Sequence, residues 1–301
     1  MPAVPPRLIV LVALALLGQL PATHAPTPAL DRVVFSLTTI PSRLDKIDIV
    51  LDQLLGQSRR PDAVYLALPP SVGMLPGWLE ERLGQHAELR VLWMEADYGP
   101  ASKLLAAVVD GGERGENTLL VYGDDDILLP PTILERHREA HQRAAPVRAA
   151  FGTRRIELAG GTRRETLLEA TGTISIRASD VPRPGHSKMF EVGDAARGGV
   201  GKADACRLSD DYWLSHHLAA AGLSFELLPG CVYDYNRGEW PSSCGAPFEA
   251  VPAIENIDAL SQALLVGGQL QARGGGDWRA QLARYVECQS LLLQSESHGE
   301  L

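Results

Sequence analysis

Asp124, Asp125 and Asp126 stand in a row directly behind the apolar run Leu119–Tyr122 and Gly123. A hydrophobic strand that ends in like charges is unfavourable unless something positive sits there. Extended backbone alternates its side chains, so Asp124 and Asp126 are expected on one face and Asp125 on the other. Two carboxylates at the carboxyl end of a strand suit a hard divalent cation that also holds phosphate oxygens. In open α/β sheets ligands bind at that end. The competing reading is a solvated acidic turn. A second acidic pair, Asp210-Asp211, follows Ser209 and precedes Tyr212 and Trp213. Ser209 is a good N-cap, and one acidic residue in a first turn favours the helix dipole. Two exceed what a cap needs. Lys103 lies in the first turn of another helical pattern, where it opposes the dipole unless it meets a phosphate bound at that helix end.

These residues need a scaffold. Val33–Thr38, Ala63–Leu68, Leu89–Met94 and Leu119–Tyr122 read as short strands. Helical stripes lie between them. Ile47, Val50, Leu51, Leu54 and Leu55 form one, with Ser42 as its expected cap. Trp78–Leu83 forms a second, and Leu104, Leu105, Val108 and Val109 a third, opened by Gly99-Pro100. Strand and helix in alternation predict βαβ units and a largely parallel sheet. Ile133–Ala144 reads as a helix, 150–180 as short strands with Thr171–Ile176 half-buried, and the Gly- and Pro-rich Pro182–Gly201 as a mobile loop over the site. A helix runs from Ser209 to Ala221 and a strand follows at Ser224–Leu228. Helical stretches are expected near Ile254–Leu265 and Trp278–Leu293. No repeat or clear linker is visible.

The 301 residues, 45% hydrophobic and 22% charged, are ordinary globular material. A net charge of −9 argues against a nucleic-acid partner. Arg7 precedes an apolar run at 8–20, the length of a signal-peptide core and short for a membrane span. Cleavage after Ala22 or Ala25 is the first reading. A signal anchor giving membrane association is the second. Residues 1–25 are therefore set apart as the leader, and 26–301 are read as one domain with a C-terminal helical extension. Cys206, Cys231, Cys244 and Cys288 have no zinc spacing, and in an exported chain one or two disulfides are plausible. Cys288, inside a helical pattern, is read as a buried thiol.

Four blocks stand in order: S-L-T-T-I-P-S-R (36–43), D-Y-G-P-A-S-K (97–103), Y-G-D-D-D (122–126) and S-D-D-Y-W-L (209–214). Together they resemble a GT-A-type glycosyltransferase, similar to the family-2-like group, over roughly residues 32–230. The resemblance implies an α/β Rossmann-type sandwich with a central, mostly parallel sheet flanked by helices. It implies a Mn2+ or Mg2+ ion on Asp124 and Asp126. It places a UDP- or GDP-sugar among Thr38, Thr39, Pro41, Arg43, Asp97, Lys103, Asp124 and Asp125. In inverting relatives the acidic pair supplies the base, which implies Asp211 with Asp210 beside it. Tyr212 and Trp213 are candidates to stack on an acceptor sugar, and His216 or His217 for a third metal ligand. Two departures stand out. The usual Glu-Asp pair is Asp-Asp here, and the Q-x-x-R-W motif of processive synthases is absent, which implies transfer of a single hexosyl or hexosaminyl unit to a glycan, glycolipid or glycoprotein in the secretory pathway or periplasm. The alternatives are a nucleotidyltransferase, disfavoured by T-T-I-P-S-R where a glycine-rich phosphate loop would stand, and an exported non-catalytic glycan- or metal-binding protein, for which Asp210-Asp211 would be superfluous.

Overall fold

The structure is a computed structural model that describes residues 29–95, 97–160, 163–170, 172–191, 206, 209–232, 240–244, 283 and 285–292. Strands β1 (Arg32–Thr38), β2 (Ala63–Leu68), β3 (Leu89–Trp93) and β4 (Thr118–Gly123) alternate with helices α1 (Asp48–Leu55), α2 (Gly77–Gln85) and α3 (Ser102–Val109). Helix α4 (Ile133–Ala144) leads to β5 (Ala149–Gly152), the hairpin β6 (Arg155–Gly160) and β7 (Arg163–Leu168), and β8 (Thr173–Arg177). Helix α5 (Asp210–Ala220) and β9 (Ser224–Leu227) follow. Seven strands form one sheet in the order β3-β2-β1-β4-β8-β5-β9. Among the described strands of that sheet, β8 alone runs against the rest. This is the mixed, mostly parallel α/β sandwich that the sequence predicts.

Side-chain alternation divides the core. Val34, Leu120 and Tyr122 point to the face covered by α3 and α5. Val33, Phe35, Leu37, Leu119 and Val121 point to the face covered by α1, α2 and α4. Each fully buried aliphatic side chain contributes about 1.5–3 kcal/mol of transfer free energy, so both helix layers are held by apolar burial. All six residues of β2 and of β4 are buried, as strands covered on both faces must be.

Several expectations are corrected. The strand predicted at Thr171–Ile176 lies at Thr173–Arg177 and is wholly buried, because it is interior to the sheet. Ser42 does not cap: a 3-10 turn at Leu44–Lys46 intervenes, and Ile47 stands at the start of α1 with no side-chain cap. Ser209 does stand at the N-cap of α5, yet its side chain makes no capping bond. Cys288 is no free thiol. It bonds to Cys206, with Cα atoms 4.9 Å apart, and Cys231 bonds to Cys244. Of Pro182–Gly201, residues 182–191 are described and end in a short 3-10 turn, Lys188–Glu191. The Ile254–Leu265 helix, residues 192–201 and the leader fall outside the described residues. The Trp278–Leu293 helix is described only in part, and 285–292 are helical. Among the described residues no helix is long and apolar enough to cross a membrane.

Candidate active site

The carboxyl ends of β1, β2 and β4 converge with the start of α3. Between them lies a cavity of about 310 Å³. Thr38, Thr39, Pro41, Arg43, Asp97, Lys103, Asp124 and Asp125 all line it, so every residue expected to touch a nucleotide sugar meets there. Ile40, Pro69, Ser71, Gly99 and Pro100 complete the wall. Pro69 directly follows Leu68, the last residue of β2. As the chain leaves that strand's carboxyl end, it is carried into the cavity.

Each side chain has a local reason for its place. Thr38 donates from Oγ1 to the Ala67 carbonyl at 2.9 Å, tying the end of β1 to β2. Asp97 accepts from the Gly99 amide at 2.8 Å, which closes the turn into α3; Gly99 takes a positive φ of 61° there, a conformation that favours glycine. Thr39 donates to Asp125. Gln53 of α1 and Gln57 just beyond its end clamp the loop behind the acidic cluster, with the Leu129 amide donating to Gln53 at 2.7 Å and Gln57 donating to the Pro130 carbonyl at 2.9 Å. Gly123 is required because a Cβ would collide with the Gly172 carbonyl where β4 meets the chain entering β8.

Strand β4 ends at Gly123, and Asp125 and Asp126 lie in a turn rather than in extended backbone. The expected alternation therefore fails. Arg43 bridges the two, 3.0 Å from Asp125 Oδ1 and 2.9 Å from Asp126 Oδ2. Lys103, only 3% exposed, spans Asp124 Oδ1 at 2.7 Å and Asp210 Oδ2 at 2.8 Å. This amine is not solvated. Burial by itself would lower its pKa, but Asp124, Asp210 and Asp211 outweigh that and hold it well above its ordinary value. Burial raises Asp125, with Arg43 and Thr39 restraining the rise. Burial, then Asp124 and Asp125, raise Asp126 to about 7.

Asp210 and Asp211 point apart, as successive helical residues must. Asp210 faces Lys103. Asp211 accepts from the Ala170 amide at 3.0 Å and from the Tyr285 hydroxyl at 3.3 Å. Burial, then the charge of Asp210, pushes Asp211 well above the usual carboxylate range. The Ala170 carbonyl also accepts from the Asp124 amide at 3.3 Å, so the backbone of one residue links both acidic groups. Glu169, paired with Arg154, backs them. Sequence reasoning missed Glu169, Ala170 and Tyr285, because no spacing connects them to either acidic motif.

Four candidates do not belong to the site. Tyr212 and Trp213 are 1% and 5% exposed; Tyr212 donates to Glu165 and Trp213 to the Met189 carbonyl, so both are core. His216 packs beside Glu165 and His217 against Trp213, away from the acidic cluster.

Among the described residues no three acidic, histidine or cysteine groups converge to hold a metal ion. The donor set nonetheless fits a hard divalent cation. It is all oxygen, and Asp124, Asp125, Asp126, Asp210, Asp211 and Glu169 outnumber Lys103, Arg43 and Arg154. Cations of this type take one or two carboxylates and complete their shell with substrate phosphates and water.

No family model and no curated protein sequence matches the chain. Solved structures similar to the chain include two of different activity. One is a 4-diphosphocytidyl-2C-methyl-D-erythritol synthase, 14% identical over 77% of this chain and 100% of that one, with a TM-score of 0.39. The other is a mannosyltransferase from Pyrobaculum calidifontis in complex with GDP-mannose and Mn2+, 15% identical over 94% of this chain and 93% of that one, with a TM-score of 0.38. Scores this low carry no functional inference.

Proposed function

We propose that the chain is a metal-dependent glycosyltransferase, similar to family-2-like enzymes, that moves one sugar from a UDP- or GDP-sugar to a hydroxyl of a glycan, lipid or protein acceptor with inversion. The observation that carries this reading is the convergence on one cavity of eight residues from three separate sequence blocks, with Lys103 also paired to Asp210 of α5.

The donor's base and ribose would lie against Thr38, Thr39 and Pro41, and its diphosphate near Lys103 and Arg43. Both cations are already at the strand end, so they can pass from carboxylate to phosphate with short movements. Asp124 and Asp126 are the residues that would hold Mn2+ or Mg2+. A divalent ion there supplies Lewis-acid stabilisation of the departing diphosphate. Lys103 and Arg43 stabilise the same developing charge. Asp211 takes the proton of the attacking acceptor hydroxyl. A carboxylate offers about four lone-pair sites, and the Ala170 and Tyr285 bonds use two of them. Its raised pKa makes it a stronger base than a surface aspartate. Asp210 keeps Lys103 in place.

The test is a screen of UDP- and GDP-sugars with manganese, following release of the nucleoside diphosphate and transfer to simple glycosides. Release of UDP or GDP supports the reading. Pyrophosphate formation from a nucleoside triphosphate and a sugar phosphate would replace it with a nucleotidyltransferase. Activity with neither substrate class would favour a binding protein.

A further inference from the structure

The C-terminal segment 285–292 touches the acidic pair through one hydroxyl. Tyr285, 2% exposed, shares its one hydroxyl proton between Glu169 Oε1 at 3.0 Å and Asp211 Oδ2 at 3.3 Å. Its ring stacks on Tyr212, the residue after Asp211, with centroids 6.4 Å apart. The segment is fixed along one face. Cys288 is bonded to Cys206, just ahead of α5; Gln289 donates to Glu165 at 3.2 Å; and Leu292 lies in the core. Positions 285, 288, 289 and 292 share a face of a helix, so these contacts act together. A residue 74 positions from Asp211 is thereby delivered to it inside the protein.

We infer that Tyr285 is a positioning residue for the proposed sugar transfer, holding Asp211 so that its remaining lone pairs meet the acceptor hydroxyl. Among the described residues, Asp211 is otherwise held by the Ala170 amide and by its place in the first turn of α5. A carboxylate held by a single bond can rotate about its χ angles, and a displacement of about 1 Å costs on the order of 10²-fold in rate. The hydroxyl removes that freedom. Glu169 keeps the hydroxyl in place, and Arg154 keeps Glu169 in place. The inference rests on the reading of the chain as a glycosyltransferase with Asp211 as its base.

The test is Tyr285→Phe in the full chain, which keeps the ring and its stacking. The kcat for transfer should fall about 10- to 100-fold. The donor KM and the calorimetric affinity for UDP or GDP with manganese should not change, because the hydroxyl does not line the donor cavity. Gln289→Leu cuts the neighbouring bond of the same segment and should leave kcat within about two-fold, the scatter expected where no positioned group is lost. Wild-type kcat in Tyr285→Phe would overturn the inference. So would an equal loss in Gln289→Leu, which would assign the effect to docking of the segment, or a loss of donor affinity in step with kcat. If the wild-type chain neither binds nor turns over any nucleotide sugar, the failure lies in the function proposed and not in Tyr285.

Discussion

Asp126, at the strand end, has a side chain 29% exposed, and Arg43 is its partner. Asp126→Asn replaces one carboxylate oxygen by an amide nitrogen and leaves the Arg43–Asp125 pair intact. It should abolish manganese-dependent binding of UDP or GDP while the fold persists; unchanged affinity by calorimetry would exclude Asp126 as a ligand. The acidic pair gives a sharper contrast. Asp211→Asn should lower turnover by about 10²–10⁴-fold at unaltered donor affinity, the usual contribution of a positioned base. Asp210→Asn should be milder in rate and should cost stability, since the buried Lys103 loses one of its two carboxylate partners. Normal turnover of Asp211→Asn would move the base elsewhere or make the reaction retaining. At this scale the sequence was informative about identity and poor about direction. The eight cavity residues were legible from their motifs. The turn that brings Asp125 and Asp126 to one guanidinium was not, because the alternation rule holds only while backbone stays extended.

Helix α4 presents two histidines to the back of β8. His137, fully buried, bonds to Thr173 and Ser175 at 2.7 Å each, and His141 bonds to Ser175 at 3.0 Å. Burial, then the neighbouring His141, pushes His137 well below its ordinary value; burial, then Arg177, pushes His141 down to about 3. Both are neutral in the folded protein, whereas the unfolded chain takes up protons below about 6.5. Their contribution to stability is therefore present above that pH and lost as pH falls from about 6.5 towards 3, by up to about 1.4 kcal/mol per pH unit for each histidine. Denaturant unfolding from pH 7 to 5 should show a shallower pH slope in His141→Gln than in wild type. Parallel slopes would contradict the assignment. Elements with apolar periodicity, β1 to β4 and α1 to α4, were readable from sequence because burial writes that pattern. The service of 285–292 to Asp211 was not, because a contact made across 74 residues leaves no local signature.

For the whole molecule, all four cysteines are paired, as suits a chain folded under oxidising conditions. Together with the apolar run at 8–20, this motivates an exported product that begins near Thr23 or Pro26. Mass spectrometry of the secreted protein checks it, and Met1 retained in a membrane fraction would favour an anchor. The pairing of Lys103 and Arg43 with the acidic cluster has a consequence of another kind. The protein carries its own counter-ions, so part of the cluster's charge is offset from the moment it folds. Chelation should therefore stop turnover while leaving Tm within about 2 °C, unlike a structural metal whose binding is itself the folding energy. A drop of several degrees in EDTA would show the ion to be structural. If Tm holds, the supply of cation sets how often the protein works and not how long it lasts.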